Sequence, residues 1–217
     1  MTCINGRARA VLYSVAIFMQ EEQVRHLVVA AHPNVKSFNH SVVEAYASAL
    51  IERKHRVECR DLYAINFNPI LSARDLAAVG SGRAAKDIRH EQAAIRRADV
   101  ITLIAPLWWS GFPAMLKGYL DRVFCAGFAY VIKQGDYLPG LAGKKGVIIT
   151  TSAASKEELR SDGRLRAFKV IYNEGLMQFC GIEMVRHLYL AGIEPGMSRA
   201  EGEKHLASVR RFVRRTF

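Results

Sequence analysis

The chain carries five short apolar runs, each bounded by charged or polar residues. Their length and their content of Val, Ile and Leu are typical of β-strands rather than of helices. Continuous apolar runs of this kind predict strands that are buried on both faces of a sheet. The runs cover residues 26–31, 56–62, 99–106, 144–151 and 184–193.

Between these runs, the apolar residues recur with the spacing of a helix. From residue 38 to 54 they fall at positions i, i+1, i+4 and i+5, which draws one apolar stripe along a helix. The stretch from 112 to 124 repeats this spacing, with Pro113 placed well for a first helical turn. Three further helices are predicted, over residues 87–97, 165–179 and 198–217.

Apolar strands that alternate with helices predict an α/β fold, with a parallel sheet and helices on both of its faces. Five strands and five helices match the doubly wound order 2-1-3-4-5. In that topology a ligand binds beyond the carboxyl ends of the strands, where the order reverses between strands 1 and 3. The segments that follow residues 31, 106 and 151 are therefore the candidates for a binding site.

The first 25 residues do not follow this pattern. An apolar stretch at 10–19, preceded by two arginines, is too short to span a bilayer. It could be the hydrophobic region of a signal peptide, but no A-x-A-like cleavage site follows it. It could also be an extension outside the fold, or reflect a start assigned too early, since Met19 could begin the chain. We expect residues 1–25 to lie outside a single domain that spans residues 26–217.

Size and composition are those of one α/β domain, because the chain has 217 residues, of which 50% are hydrophobic and 24% are charged. Its four cysteines form no C-x-x-C pair, which argues against a metal site or disulfide framework and favours a reducing compartment, the cytoplasm. The net charge of +11 suits anionic ligands, and equally an ordinary basic surface. No recognition module accompanies the arginines of the last helix, so we expect no nucleic-acid partner and no stable membrane insertion.

The loop after the first strand reads AHPNVKSFN and leads directly into a helix. Free backbone N–H groups and the helix dipole favour an anion at such a helix start. Ser37 and Asn39 can donate to a phosphate or simply cap the helix, and His32 can donate from its ring. No G-x-G-x-x-G sequence is present, which argues against a Rossmann dinucleotide site.

The loop after the third strand places Trp108 and Trp109, followed by Ser-Gly, at the strand end. Two adjacent tryptophans can form a flat wall for a planar heteroaromatic ring, or belong to the core or to a dimer contact. The loop after the fourth strand reads TTSAAS, whose small residues let a ligand approach the backbone and whose hydroxyls can donate. Together the three loops describe a phosphate pocket, a flat wall and a set of donors on one edge, which is a flavin site.

Six segments also resemble the NAD(P)H:quinone oxidoreductase (DT-diaphorase-like) family, and two of them are too long to match by chance. The resemblance implies a flavodoxin-like, doubly wound sheet and a homodimer with its sites at the interface. Residues before the first segment have no counterpart in the family pattern. In chain order the segments are AHPNVKSFN, DLYAINFNPILSARDL, PLWWSGFPAMLKGYLDRVF, GFAY, ITTS and FCGIE.

The resemblance also implies a role for each of the three loops. In the family the first loop holds the flavin phosphate, the second holds the isoalloxazine ring, and the third offers donors to the N1–O2 edge of that ring. The matching residues here are His32, Ser37, Phe38 and Asn39 for the phosphate; Pro106, Leu107, Trp108, Trp109 and Ser110 for the ring; and Thr150, Thr151, Ser152 and Ala153 for the donor loop. We further expect a wall on which the substrates stack, formed by Trp109 and Phe112 with Phe128 and Tyr130.

The chain departs from the family in the third loop. Relatives commonly have TTGG, followed by a Tyr and a His that help the ring to accept charge, whereas this chain has TTSAASKEELRSDGRLRAF, with neither residue. Ser152 and Ala153 also have less freedom than glycine to adopt a positive φ angle. We therefore assign no catalytic residue, and we interpret His187, which lies in a predicted strand, as structural.

These features predict an enzyme in which hydride passes from NADH or NADPH to flavin N5 and then to a quinone or similar acceptor. Because both substrates would use one pocket, we expect ping-pong kinetics. The long loops after the first two strands favour FAD, with FMN as the alternative. Two other hypotheses stay open: a flavodoxin-type electron carrier, which the basic charge argues against, and a flavoprotein accessory subunit of a potassium-efflux system.

Overall fold

A parallel sheet of five strands forms the centre of the fold. The computed structural model describes residues 23–81 and 83–217, so the expectation for the N-terminal extension falls almost entirely outside the described residues. The described residues form seven strands, of which β4 and β5 lie outside this sheet. They are β1 (Arg25–Ala30), β2 (Arg56–Asp61), β3 (Val100–Pro106), β4 (Tyr130–Lys133), β5 (Asp136–Pro139), β6 (Lys145–Ser152) and β7 (Glu183–Ala191). The sheet has the order β2-β1-β3-β6-β7, which confirms the predicted doubly wound topology.

Helices follow the strands along the chain, largely as predicted. The helix after β1 begins at Ser37, which caps it, and the helix after β3 follows Pro113 directly. The short helices after β2 and β6 were not predicted. The helices are α1 (Phe38–Glu52), α2 (Ala73–Ala78), α3 (Lys86–Arg97), α4 (Ala114–Val123), α5 (Lys156–Ser161), α6 (Arg164–Phe168) and α7 (Arg199–Thr216).

The helix predicted over 165–179 is present, but it is not an α-helix throughout. After α6 the chain continues as a π-helix from Lys169 to Gln178, in which each N–H bonds to a carbonyl five residues back instead of four. This stretch mixes weak α-helix formers, such as Ile171 and Gly175, with strong ones, such as Leu176. Its composition therefore predicts a helix but does not predict the wider turn.

A small antiparallel hairpin made of β4 and β5 lies outside the main sheet. Its turn residues Gln134 and Gly135 have φ angles of 55° and 91°, as a two-residue hairpin turn requires. The sequence analysis did not predict this hairpin, because its strands are short and largely exposed. The parts of the chain that the structure describes contain no helix with the length and apolar character needed to cross a bilayer.

Each face of the sheet carries its own core. Leu27 and Val29 of β1 point into a cluster shared with α3, α4 and the π-helix, whereas Val28 between them points into a cluster shared with α1 and α7. This alternation of side chains is the period of a β-strand, and apolar residues at successive positions are what a sheet covered on both faces requires. Residues 26–30 of β1 are accordingly all buried.

The loop after β2 packs tightly on α4. A Cβ atom added at Gly118 would lie 2.1 Å from the carbonyl oxygen of Pro69 and 2.7 Å from its carbonyl carbon. No side chain fits into that space, so Gly118 allows the backbone of the loop to lie directly on the helix. This contact fixes the position of the long segment between β2 and α3 relative to the sheet edge.

Arg122 holds the same segment from one helical turn further along the same face of α4. Its guanidinium is buried and donates to the carboxylates of Asp75 and Asp87 at 3.1 and 2.6 Å, and to the carbonyl oxygen of Asn68 at 2.8 Å. One side chain of α4 thereby ties α2, α3 and the loop between β2 and α2 together. A buried cation with several partners of this kind is satisfied rather than reactive.

Candidate functional site

The N-terminus of α1 presents a set of hydrogen-bond donors at the switch between β1 and β3. Ser37 is the N-cap residue, and its hydroxyl oxygen accepts from the backbone N–H of His40. Within the described residues, the backbone N–H groups of Phe38 and Asn39 have no acceptor. Because the positive end of the helix dipole adds to these donors, the set has the chemistry that a phosphate group requires.

His32 and Phe38 flank this helix start in different ways. His32 Nδ1 lies against the backbone of Asn34, 3.1 Å from its N–H and 3.2 Å from its carbonyl oxygen. Burial lowers the pKa of His32 and so favours the neutral form of its ring. The Phe38 ring packs toward α7 and lies with its centroid 6.2 Å from that of His205. Phe38 therefore offers a ligand its backbone N–H rather than its ring.

A hydrogen-bonded chain that the sequence analysis missed runs from Ser37 through His40 to Asp61. Ser37 Oγ lies 3.0 Å from His40 Nδ1, and His40 Nε2 lies 2.9 Å from Asp61 Oδ2. The other carboxylate oxygen of Asp61 accepts from the backbone N–H groups of Tyr63 and Ala64, at 3.0 and 3.3 Å. The available sequence signals were a histidine three residues after the cap and an acidic residue at the end of β2.

A pair of buried side chains joins the first loop to the third. Asn39 Nδ2 donates to Thr151 Oγ1 across 3.0 Å, and both residues are buried. The backbone N–H of Leu107, just after β3, donates to the carbonyl oxygen of Thr151 across 2.8 Å, and Pro106 lies opposite Thr151 in the strand register. All three loops singled out from the sequence therefore meet at one point on the edge of the sheet.

Trp109 and Ser110 are the central residues of a tight turn. Trp108 and Gly111 exchange two backbone hydrogen bonds of 2.9 Å, and the φ angles of Trp109 and Ser110 are 51° and 58°. Two consecutive positive φ angles are the mark of a type I′ turn, which strains residues with larger side chains. Trp109 is 102% exposed and Trp108 is 43% exposed. The core is thus excluded as the location of these tryptophans, and the Trp109 indole faces solvent beside the sheet edge.

The third loop carries no backbone strain at the positions where the family has two glycines. Ser152 and Ala153 are not among the described residues with a positive φ angle. The backbone here therefore does not need the positive φ angles that glycine adopts more easily than serine or alanine. Thr150 is buried, and its Oγ1 lies 3.2 Å from Nε2 of His187 on the neighbouring strand. The hydroxyl of Thr150 is therefore engaged with the protein.

His187 is held in place by three polar neighbours. Besides its contact with Thr150, its Nδ1 lies 2.9 Å from Asn173 Oδ1 and 2.8 Å from the hydroxyl of Tyr189, and its ring stacks on Tyr189 with centroids 3.9 Å apart. Burial lowers the pKa of His187 to about 3 and raises the pKa of Tyr189 to about 12. Both side chains are neutral at pH 7, which agrees with a structural interpretation of His187.

An apolar cleft of 580 Å³ begins at Phe112, directly after the tryptophan turn. The Phe112 ring stacks on Tyr172 with centroids 4.0 Å apart, and Tyr130 lines the same cleft. Phe128 does not line it, because its ring is buried in the core with the Arg96 guanidinium 4.9 Å above it. Of the four predicted wall residues, the structure thus brings Phe112 and Tyr130 together in the cleft, whereas Phe128 and Trp109 do not line it. Further apolar side chains that line the cleft are Leu71, Leu76, Val79, Ile88, Leu120, Phe124, Ile171, Leu176 and Phe179.

Comparison with known proteins places the chain in a family. The family model described as the flavodoxin-like fold matches residues 24–213. An uncharacterised NAD(P)H oxidoreductase of Haemophilus influenzae is 40% identical over 163 residues, which are 75% of this chain and 81% of that protein. NAD(P)H dehydrogenase (quinone) 1 of Rattus norvegicus is 32% identical over 199 residues, which are 82% of this chain and 73% of that protein.

A solved structure gives the same result. The NAD(P)H:quinone oxidoreductase from Methanothermobacter marburgensis superposes with a TM-score of 0.80 and 30% sequence identity, covering 88% of this chain and 96% of that chain. These three relatives are named as oxidoreductases that use NAD(P)H, which favours the enzyme over the electron carrier among the hypotheses drawn from the sequence. The chain therefore belongs to the flavodoxin-like family and, within it, to the enzymes related to NAD(P)H dehydrogenase (quinone).

Proposed function

We propose that the chain is a flavin-dependent oxidoreductase that transfers hydride from NADH or NADPH to a quinone or a similar acceptor. The observation that carries this proposal is the junction at Thr151, whose side chain bonds to Asn39 of the first loop and whose carbonyl bonds to Leu107 of the second. At that junction a phosphate-type donor set, an exposed aromatic turn and a loop with hydroxyl groups share one edge. A flavin nucleotide presents the matching parts: a phosphate, a flat ring and a polar pyrimidine edge.

Each loop then holds one part of the flavin. The phosphate binds to the Ser37 hydroxyl and to the backbone N–H groups of Phe38 and Asn39, because these donors point from the positive end of a helix. Residues 106–110 hold the ring, and residues 150–153 face its pyrimidine edge. Bound there, a flavin supplies two-electron hydride chemistry that no side chain of the site can perform. Fixed donors near the pyrimidine edge stabilise the negative charge of the reduced state.

The two substrates use one aromatic surface in turn. Trp109 is exposed at the tryptophan turn, while Phe112 and Tyr130 line the apolar cleft beside it. Nicotinamide and quinone rings are both flat, so the same surface stacks on either of them but not on both at once. The oxidised nicotinamide leaves before the acceptor enters, which makes the kinetics ping-pong. We assign no protein acid to the reaction, since His187 is neutral and already hydrogen bonded.

A second copy of the chain is the proposed cover of the apolar cleft. Leu76, Ile171 and Phe179 line the cleft and remain 58%, 54% and 43% exposed. Apolar side chains gathered in this way mark an interaction surface on a soluble protein. We expect sedimentation equilibrium to give a homodimer for the wild type and a monomer for Ile171→Glu. A monomeric wild type at micromolar concentration contradicts this part of the proposal.

The cofactor test is direct. The purified full chain should be yellow, and the flavin released from it by heat should co-migrate with FAD on chromatography, with FMN as the alternative. A colourless chain that binds neither nucleotide when each is supplied in excess contradicts the proposed function. Because the donor set of Ser37, Phe38 and Asn39 binds phosphate, riboflavin should bind more weakly than either nucleotide.

The kinetic test uses menadione as the acceptor, with NADPH and NADH as alternative donors. Double-reciprocal plots at several fixed menadione concentrations should give parallel lines, as expected when one substrate leaves before the other binds. Intersecting lines indicate a ternary complex and contradict the shared surface. Measuring both nucleotides in the same series also gives the preference for NADPH or NADH as a ratio of kcat/KM.

A further inference from the structure

The chain of contacts from Ser37 through His40 to Asp61 constrains where its protons lie. Asp61 Oδ1 is already held by two backbone N–H groups, and Asp61 Oδ2 faces His40 Nε2 at 2.9 Å. A carboxylate accepts and does not donate, so His40 Nε2 carries a proton. In the neutral imidazole, Nδ1 must then be an acceptor, and the partner that can donate to it is the Ser37 hydroxyl at 3.0 Å.

This arrangement occupies the only proton of the Ser37 hydroxyl. Its oxygen also accepts from the backbone N–H of His40, so in this state Ser37 turns lone pairs, rather than its O–H, toward an anion at the start of α1. If the hydroxyl turns to donate to a phosphate, the lone pair of His40 Nδ1 faces a lone pair of Ser37 across 3.0 Å. Two facing acceptors repel each other, and protonation of Nδ1 removes that repulsion.

We propose that binding of the flavin phosphate at the start of α1 is coupled to the uptake of one proton by His40, which acts as a positioning residue for Ser37. This inference rests on the proposed function, since it assigns the anion to a flavin nucleotide. The balance is simple: one proton comes from solvent to Nδ1, the Ser37 O–H bond turns from Nδ1 to a phosphate oxygen, and N–H of the imidazolium donates to Ser37 Oγ. Apart from the transfer of this proton from its solvent donor to Nδ1, no covalent bond forms or breaks.

The surroundings of His40 determine how a charge on its ring is balanced. Asp61 at the end of β2 lies against the ring, with its Oδ2 atom 2.9 Å from His40 Nε2. His32 in the loop after β1 faces the ring from 6.4 Å between centroids, and burial lowers the pKa of His32, so that it stays neutral. The bound phosphate adds a second negative group on the Ser37 side. The imidazolium is therefore balanced in the complex by two negative groups rather than one.

The test measures protons rather than turnover. The full chain, freed of flavin by dialysis, is titrated with FMN, FAD and riboflavin at pH 7.5 in HEPES and in Tris, whose ionisation heats differ. The difference in binding heat between the buffers gives the number of protons taken up. We expect the binding of FMN or FAD to be accompanied by the uptake of as much as about one proton more than the binding of riboflavin, which has no phosphate. The phosphate charge of FMN is nearly constant between pH 7 and 9. Because binding takes up a proton, the Kd for FMN should increase at least about threefold as the pH is raised from 7 to 9.

Two matched variants assign the proton. His40→Gln keeps a donor for Asp61 but cannot become charged, so we expect its proton uptake to fall to the riboflavin value and its Kd to be independent of pH. His90→Gln changes an exposed histidine of α3 in the same way and should behave as the wild type. Far-UV circular dichroism checks that both variants are folded, and the comparison of FMN with riboflavin in the wild type stands without them.

The outcomes separate this inference from the proposed function. Flavin nucleotides that bind tightly with no more proton uptake than riboflavin overturn the role of His40 and leave the proposed function intact. Equal proton uptake in His40→Gln and in the wild type also overturns it. A chain that binds neither flavin nucleotide at any pH overturns both. Proton uptake that needs the phosphate and His40 supports the inference.

Discussion

Asn39 and Thr151 are 112 positions apart in the chain, and yet Asn39 Nδ2 donates to Thr151 Oγ1 across 3.0 Å in the interior. The contact links the first turn of α1 to the end of β6. It can form because both elements meet at the carboxyl edge of the sheet, where the strand order reverses. Since Asn39 also belongs to the phosphate donor set, the contact couples the stability of the fold to the geometry of the site.

The first prediction concerns this hydrogen bond. Thr151→Val keeps the shape of the side chain but leaves the Asn39 amide buried without its partner, which should lower the free energy of unfolding by about 1–3 kcal/mol. The flavin Kd should rise in the same variant, because the first turn of α1 loses its anchor. Urea unfolding and flavin fluorescence measure the two effects.

A matched control exists on the same face of the sheet, in the middle of β3. Thr102 Oγ1 donates to the hydroxyl of buried Tyr46 across 3.0 Å, so Thr102→Val removes a similar hydrogen bond away from the sheet edge. It should reduce stability by a similar amount and leave the flavin Kd unchanged. If Thr151→Val and Thr102→Val have the same effect on flavin binding, the link between Asn39 and the site is wrong.

The sheet and its binding edge could be predicted from the sequence because they follow from local patterns. Buried strands such as residues 99–106 leave a continuous apolar run, the helix after residue 37 leaves an apolar stripe, and a parallel sheet with helices on both faces allows few strand orders. Once the order 2-1-3-4-5 is chosen, the three loops must lie at one edge. The junction at Thr151 is the geometric result of that choice.

Other features depend on contacts that leave no periodic signal. The bond between His40 and Asp61 joins residues 21 positions apart on different elements, and either residue alone resembles an ordinary surface side chain. The burial of Phe128 and the exposure of Trp109 depend on how the turns around them are closed. The sequence between Lys169 and Gln178 predicts a helix, but no spacing in it distinguishes a π-helix from an α-helix.

The second prediction concerns the strained turn at Trp109 and Ser110. Both residues have positive φ angles, which cost residues other than glycine about 1–2 kcal/mol each. Ser110→Gly should therefore raise the free energy of unfolding by about 1 kcal/mol. If the strain serves to hold Trp109 out in solvent, the more flexible turn should also raise KM for menadione. Thermal unfolding and steady-state kinetics on one preparation test both parts.

The control for this turn is Ser152→Gly. Ser152 is not among the described residues with a positive φ angle, so glycine there relieves no strain and adds freedom to the unfolded chain. It should lower stability by up to about 1 kcal/mol, opposite in sign to Ser110→Gly. Effects of the same sign in the two variants argue against a strained tryptophan turn.

The third prediction concerns the contact between α4 and the loop after β2. In Gly118→Ala the new methyl group would meet the backbone of Pro69 at 2.1 Å, so helix and loop must separate. Overpacking of this kind should lower the free energy of unfolding by about 1–3 kcal/mol or more. A lower melting temperature, together with weaker binding of substrates in the neighbouring cleft, is the expected result.

Gly202→Ala in α7 is the matched control. Its new methyl group would meet the ends of two flexible side chains, Met197 Cε at 3.3 Å and Phe38 Cε2 at 3.4 Å. Alanine favours a helix over glycine by about 1 kcal/mol, so this variant should keep or gain stability. If Gly118→Ala is as stable as Gly202→Ala, the close approach of Pro69 to α4 does not exist in solution.

The last prediction concerns acid. Burial lowers the pKa of His187 to about 3 and, as the largest of several causes, the pKa of His26 to about 4, whereas an unfolded histidine titrates near about 6.5. Between those values the unfolded chain binds protons that the folded chain excludes. The contribution of these two neutral histidines to the free energy of unfolding is therefore fully present above about pH 6.5. It is lost as the pH falls through the pKa of His26, about 4, and that of His187, about 3. From pH 7 to pH 5 the free energy of unfolding should fall by about 2–4 kcal/mol.

A substitution at His26 separates this effect from general acid denaturation. Both ring nitrogens of His26 are buried and have no hydrogen-bond partner among the described residues, so His26→Leu removes the titrating group without breaking a hydrogen bond that the structure describes. Its unfolding free energy should depend on pH about half as steeply as that of the wild type between pH 7 and 5, because His187 still titrates. The exposed His90 has no such burial, and His90→Leu should retain the full slope. If His26→Leu also retains it, His26 is not a neutral buried group in the folded chain, and the loss of stability in acid has another source.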